Sequence, residues 1–382
     1  MRSCIRIPRV FLPRGDFENW PTLACDRKAY DRQYWERVAQ EKSDVPSAHS
    51  CIFPDVFLGE EDELRLETMR ENMYLYLETG ALERLNRGMI LVERTTSRGV
   101  RRGLLASIDL EVYSPEGDKS AMIRATTETL PRLVEKHLAV QKKSVLEFPH
   151  TVILYRDKKD KVLRTLGKDL ESVYDFTLPE GGKISGYFIP NEEAEFVAHD
   201  LIARADPCFV VADGNHTLAG AKAYWEEVKS TLSSAEARNH PARFALVEFV
   251  NAVDDTVFFE SVHRVIKDTE IEAFCDFFCR SVKCKREGNI VYPILSGVES
   301  YARVDQVIGE FLRQNYGRVE DRMGRPSLLA EADCAVVALP AVEKEELYAA
   351  VKGGKRFPAK TFCLGAETDA RYSFEGREIS YD

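Results

Sequence analysis

Asp213-Gly214-Asn215-His216-Thr217 brings a carboxylate, a glycine and an imidazole into one short polar stretch. Cys208-Phe209-Val210-Val211-Ala212, immediately before it, is apolar at every position, the pattern of a strand buried on both faces. The residues after it predict a helix over 216–232. Where such a strand turns into a helix, the first backbone N–H groups lack intrahelical partners and make a ready anion site. Gly214 allows a positive φ or the close approach of a ligand to the backbone. Asp213 is placed to orient His216, accept a proton or hold a cation, while His216 can donate to a phosphate oxygen and titrates near neutral pH. The expected chemistry is phosphate handling. A purely structural alternative uses the same side chains: Asp213 caps the helix, Gly214 turns the chain, and a neighbour satisfies His216. Lys222, farther into the helix, is expected at the surface.

Other residues carry the same two-way reading. Asp109 and Glu111 are expected to alternate on one strand face, as a metal or base pair or as solvated carboxylates. Asp26 follows Ala24-Cys25 in a proline-rich segment, either as a site carboxylate or as a turn residue. His263-Arg264, Lys360 and Arg371 are sources of positive charge for an anion or partners for carboxylates. The nucleotide-loop, dinucleotide, zincin and hydrolase-elbow motifs are all missing.

The elements that must hold these residues alternate between helix and strand. Residues 1–60 read as short extended pieces broken by prolines, with one helix near Tyr30 to Glu41. Further helices are expected over 61–85, Thr126 to His137, from Asn191 as cap, and near 270–282, 304–316 and 343–352. Phe196, Ala198, Leu201 and Ile202 are expected as the buried stripe of the helix after Asn191. Strands are expected over 89–94, 103–113, 151–155, 187–190 and 242–250, with a charged connection from Asp157 to Lys168. The fold class is thus mixed α/β.

A chain of 382 residues exceeds the ~250–300 at which single cores stop growing, so lobes are expected over 1–165, 166–290 and 291–382. The 63 acidic and 53 basic side chains give a net charge of −10, which argues against nucleic acid as a partner. The nine scattered cysteines are no secreted disulfide framework, and Cys275 and Cys279, on one helix face, read as small buried hydrophobes. Arg2, Arg6 and Pro8 interrupt any signal-peptide core, and no apolar run approaches the ~18 residues of a membrane span. A cytoplasmic protein with no membrane partner is expected.

Taken together, the segments resemble the bacterial domain-of-unknown-function family DUF1015. Trp20-Pro-Thr-Leu-Ala-Cys-Asp26, Tyr34-Trp35 and Pro46-Ser47 are similar to its W-x-x-x-A-C-D, Y-W and P-S elements. Arg102-Gly103-Leu104, Asp109-Leu-Glu-Val-Tyr113, Ile123-Arg-Ala-Thr126 and Leu146-Glu-Phe-Pro-His150 resemble its R-G-L, D-L-E-x-Y, I-R-A-T and L-E-L-P-H. Asp213-Gly-Asn-His-Thr-Leu-Ala-Gly-Ala-Lys222 stands against D-G-N-H-S-L-A-T-A-K, with Trp225-Glu226 after it. Pro241 to Glu248, Val262-His-Arg-Val265, Pro358-Ala-Lys-Thr-Phe362, Gly365, Arg371-Tyr372 and Arg377 continue the likeness. Two departures stand out. Where the family has R-A-T-E-G-T this chain has Arg124-Ala-Thr-Thr-Glu-Thr129, and His137 falls where the family places an arginine.

The D-G-x-H turn also resembles the phosphate-binding box of the ParB/sulfiredoxin-like fold, a group that includes a kinase of free L-serine with the box D-G-H-H-R. That resemblance implies a ParB/sulfiredoxin-like core with additional lobes, and transfer of phosphate from ATP, ADP or pyrophosphate to a small hydroxyl, most simply that of L-serine. It places the donor phosphates on the Gly214, Asn215 and Thr217 amides and on His216. Asp213 or, second, Asp26 is implied to take the hydroxyl proton or bind Mg²⁺, and Arg264, Lys360 or Arg371 to neutralise developing charge. A nucleotide-binding switch without catalysis and a hydrolase of a phosphorylated metabolite are the alternatives for the same pocket.

Overall fold

The computed structural model describes residues 4–15, 17–148, 151–164, 166, 169–179, 181–205 and 208–381. Arg2, the Pro149-His150 end of the L-E-F-P-H element, and Thr165, Gly167 and Lys168 of the charged connection lie outside the described residues.

The fold is mixed α/β. Its largest element is a ten-stranded sheet of β1 (Ile5–Arg6), β2 (Gly88–Thr96), β3 (Gly99–Asp109), β4 (Tyr113–Ser114), β5 (Ile123–Arg124), β6 (Val152–Tyr155), β7 (Glu171–Thr177), β8 (Lys183–Pro190), β9 (Phe209–Asp213) and β10 (Phe244–Asn251). Its order is β7-β8-β2-β3-β10-β6-β9-β5-β4, with β1 beside β3. Strands from either side of residue 165 share this sheet, so the expected boundary there runs through one hydrogen-bonded unit. A five-stranded sheet follows, built from β11 (His263–Lys267), β12 (Cys284–Glu287), β13 (Ile290–Pro293), β14 (Arg318–Arg322) and β15 (Cys334–Val337) in the order β12-β13-β15-β11-β14.

The helices used below are α1 (Arg32–Glu41), α2 (Asp62–Glu78), α3 (Pro131–Lys143), α4 (Asn191–Ile202), α5 (Asn215–Lys229), α6 (Ile271–Ser281), α7 (Val298–Leu312) and α8 (Lys344–Lys352). On one face of the large sheet, α4 and α5 bury Val197, Leu201, Leu218 and Trp225 against Phe209, Val211 and Phe249. The other face is divided. The N-terminal region and α2 cover Ile90, Val92 and Leu246, whereas α6, α7 and α8 cover Val152, Val210 and Ala212. The strand β9 therefore needs apolar residues at both parities, which is why Phe209 to Ala212 reads as it does.

Several expected elements shift. Helix α3 begins at Pro131 rather than Thr126, because proline suits the first helical position and Ile123–Arg124 is already committed to β5. Pro190, not Asn191, is the residue before α4, and the Asn191 side chain donates to Glu195 instead. Phe196 is 77% exposed, so the buried stripe is Ala194, Val197, Ala198 and Leu201. The expected strand over 103–113 ends at Asp109, where a 3-10 turn over Leu110–Val112 breaks the alternation.

Candidate functional site

The corner after β9 is built by three local features. Opposite β6, the register shifts so that Val152 pairs with Asp213 and Ile153 with Val211, leaving Ala212 as the extra residue of a bulge that re-aims the strand end. Gly214 then takes φ +83°, and a Cβ there would lie 2.6 Å from Thr151 Oγ1 and 2.9 Å from Thr151 Cα, so both conformation and space demand glycine. The close approach is to Thr151, a neighbour within the fold. Finally, α5 starts at Asn215 with no side-chain cap, leaving its first-turn N–H groups without intrahelical acceptors.

Asp213, Gly214, Asn215, His216 and Thr217 line a cavity of about 40 Å³. This cavity shares Asp26, Asp55, Leu133, Lys360 and Cys363 with a larger one of about 390 Å³, which runs past Arg27, Arg132 and Tyr30 to Asp321 and Arg322 of β14. The corner thus opens into a continuous cleft between the N-terminal region and the second sheet.

The principal charged groups there are paired. Asp213 Oδ2 accepts from Arg27 Nη2 at 3.1 Å, and its Oδ1 accepts from the Gly214 amide at 2.9 Å. Asp213 therefore does not cap α5. Burial opposes the charge on Arg27, but Cys363, Asp213 and Asp26 outweigh it and hold the guanidinium even above its ordinary range. Lys360 Nζ lies 3.5 Å from Asp26 Oδ2. Burial works against this ammonium too, yet Asp26 and Asp55 raise its pKa. Buried Lys136 pairs with Asp55, which lines both cavities.

The His216 Nε2 atom accepts the Leu130 N–H at 3.0 Å, which places the ring proton on Nδ1. Burial, reinforced by Lys360, pushes the imidazole down to about 4. The expected titration near neutral pH is therefore corrected: His216 is a neutral donor in the folded protein. The Asn215 side chain is turned inward, accepting from Thr126 N at 3.1 Å and donating to Thr126 Oγ1 at 3.1 Å. Only its backbone amide remains for an anion. Thr126 passes this order on, because its carbonyl accepts the Phe357 amide at 2.8 Å, tying the corner to the segment that carries Lys360.

Five expected residues do not line the cleft. Arg264 grips Asp305 through two bonds of 2.9 and 3.1 Å and donates to the Ala359 and Lys360 carbonyls at 3.1 and 2.7 Å. It positions Lys360, which holds φ +57°, rather than facing an anion itself. The imidazole of His263 contacts the Gly324 carbonyl at 3.1 Å. Arg371 is buried between Glu248 and Glu375. Asp109 is held by two bonds from Arg243, at 2.9 and 2.6 Å, while Glu111 accepts from Trp225 Nε1 at 2.6 Å and pairs with Lys229. Asp109 and Glu111 are thus separate structural carboxylates, not a metal pair. Among the described residues, no cluster of three or more His, Cys, Asp or Glu side chains is arranged to hold a metal ion. Lys222 is paired with Glu226 along α5.

Sequence reasoning missed Arg27, Asp55, Lys136 and Cys363. Arg27 adjoins Asp26 and so had a signal; the others come from segments whose convergence no local pattern announces. The departures from the family pattern also converge. Thr127, at the family's acidic place, and His137, at its arginine place, both line the smaller cavity, whereas Glu128 is exposed. A Cβ on Gly220, where the family has threonine, would lie 2.3 Å from His137 Cβ, so α3 and α5 cross in close contact.

The sequence profile of the family described as "Protein of unknown function (DUF1015)" matches residues 12–315. The motifs around Lys360 and Arg371 lie beyond that span. No curated protein sequence matches the chain. Among solved structures, a free serine kinase in complex with AMP is similar at 10% identity and TM-score 0.42, covering 72% of this chain and 91% of that one. A conserved hypothetical protein from Pyrococcus furiosus is similar at 12% identity and TM-score 0.39, covering 72% and 95%. SbnI from Staphylococcus aureus, with a C-terminal truncation, gives 8% identity and TM-score 0.38, covering 70% and 85%. No helix among the described residues is long and apolar enough to cross a membrane.

Proposed function

The chain belongs to the DUF1015 family, and we propose that it is a phosphotransferase acting on the hydroxyl of a small metabolite, most simply L-serine, with ATP, ADP or pyrophosphate as donor. One observation carries the reading: the uncapped N-terminus of α5 opens into a cleft that also presents Lys360 and Asp26. Phosphoryl transfer depends on positioning and charge stabilisation more than on covalent chemistry, and these groups supply both. The amides of Asn215, His216 and Thr217 grip phosphate oxygens, and neutral His216 adds a donor without adding charge. Lys360 offsets charge on the transferring group. The larger cavity leaves room for the remainder of the donor or for the acceptor.

In the proposed step the acceptor hydroxyl oxygen forms a new bond to phosphorus, the bond to the leaving phosphate or nucleotide breaks, and the hydroxyl proton passes to a carboxylate. We assign that carboxylate to Asp26, which lines both cavities beside Lys360. Asp213 with Arg27 then fixes the corner. A Mg²⁺ ion would be held by Asp26 or Asp213 together with donor phosphate oxygens, since such ions commonly bind through one or two carboxylates, and it would neutralise phosphate charge.

Incubating the purified chain with L-serine and each donor in turn, and following O-phospho-L-serine by mass spectrometry, tests the reading. Product with at least one donor is expected. Absence of product with every donor, together with a melting temperature indifferent to nucleotide and pyrophosphate, would end it.

A further inference from the structure

At the far side of the second sheet, the C-terminal end of α6 and the start of edge strand β12 bring two thiols together. Cys279 Sγ and Cys284 Sγ stand 2.8 Å apart, both half-buried. Bonded sulfurs are separated by about 2.05 Å, so closure needs a movement of less than ~1 Å, within reach of a side-chain adjustment at a helix end. Cys275 lies one helical turn before Cys279 and is fully buried, too enclosed to compete for an incoming reagent. Arg286 adds positive charge beside the group while pairing with Glu272 and Asp276.

The geometry points to a dithiol modification site: Cys279 and Cys284 form an intramolecular disulfide by exchange with a low-molecular-weight disulfide. Cys279 attacks one sulfur of the reagent, whose S–S bond breaks and releases one thiolate, which takes up a proton. The Cys284 thiolate then attacks Cys279 Sγ in the mixed disulfide and expels the second thiolate. Two protein thiols lose two protons and two electrons, and one reagent disulfide takes them up to become two thiols. Burial, and the neighbouring Cys279 sulfur after it, push the Cys284 thiol up, so the second attack draws on a small thiolate fraction and is favoured by the closeness of the two sulfurs. The bridge joins α6 to the sheet edge and is independent of the cleft chemistry.

The test treats the whole chain with oxidised glutathione and reads intact mass and peptide maps. The wild type is expected to lose the mass of two hydrogens, with the cross-link mapped to 279 and 284. Cys284→Ser is expected to retain one glutathione adduct on Cys279, and Cys275→Ser to bridge as the wild type does. A stable adduct at Cys279 in the wild type, or bridging that persists in Cys284→Ser, would overturn the assignment.

Discussion

Arg27 and Asp213, 186 residues apart in the chain, meet at 3.1 Å in a nearly closed environment and join the N-terminal region to the end of β9. Removing one member leaves the other charged and buried. Arg27→Met is therefore expected to destabilise the protein by roughly 3–5 kcal/mol, read by urea denaturation. Adding Asp213→Asn to that variant should recover part of the loss. A double variant whose loss is the full sum of the two singles would show that the pair does not couple.

Asp26 and Lys360 test the chemistry. If Asp26 takes the proton, Asp26→Asn should lower transfer by about 10²-fold or more while nucleotide still raises the melting temperature. Lys360→Met should weaken both binding and transfer, because it removes positive charge from the phosphate side of the cleft. Unchanged turnover in Asp26→Asn would remove that residue from the mechanism.

His216 predicts a pH dependence of stability. Its folded pKa, pushed down to about 4, lies below the ~6.5 of an unfolded histidine. The unfolded chain therefore binds the proton first as pH falls. The stabilisation is fully present above about pH 6.5 and is lost progressively towards pH 4, by on the order of 3 kcal/mol at most. His216→Gln keeps an acceptor for the Leu130 amide but cannot titrate in this range, so its melting temperature should fall less between these values. His49, likewise pushed down to about 4 by burial and by Lys42 and Arg65, contributes in the same direction, and the comparison of variant with wild type isolates His216.

Thr126 and Asn215 form the internal staple of the corner. Asn215→Ala leaves the buried Thr126 amide without its acceptor, at a cost of ~1–3 kcal/mol. The same change should weaken pyrophosphate-induced stabilisation, since the α5 start loses its anchor. Thermal melts with and without pyrophosphate separate the two effects; equal ligand shifts in both proteins would leave the staple with a stability role alone.

The polar corner was legible because its cause is local. Two apolar parities mark β9, and a glycine followed by a helix pattern marks the turn. The direction of the Asn215 side chain was not legible, because Thr126 reaches it from the segment after β5, 89 residues away in the chain. Arg264 and Arg371 carry the same charge as Lys360, and nothing in composition distinguishes a cation that faces a cleft from one neutralised by Asp305 or Glu248. Asp109 and Glu111 misled for a different reason: alternation predicts a shared face only while the strand continues, and here it stops between them.

The contact between Gly220 and His137 has a mechanical consequence. Residue 220 sits more than one turn beyond His216 on the same rigid helix, so any bulk added at 220 levers the whole first turn of α5 away from α3 and widens the mouth in which Thr127 and His137 stand. A threonine at this position would call for a wider gap between these two helices. The pair Thr127 and His137 in this chain is accordingly matched to a narrower gauge, and exchanging these positions singly between relatives should transplant the side chain without the spacing it was fitted to.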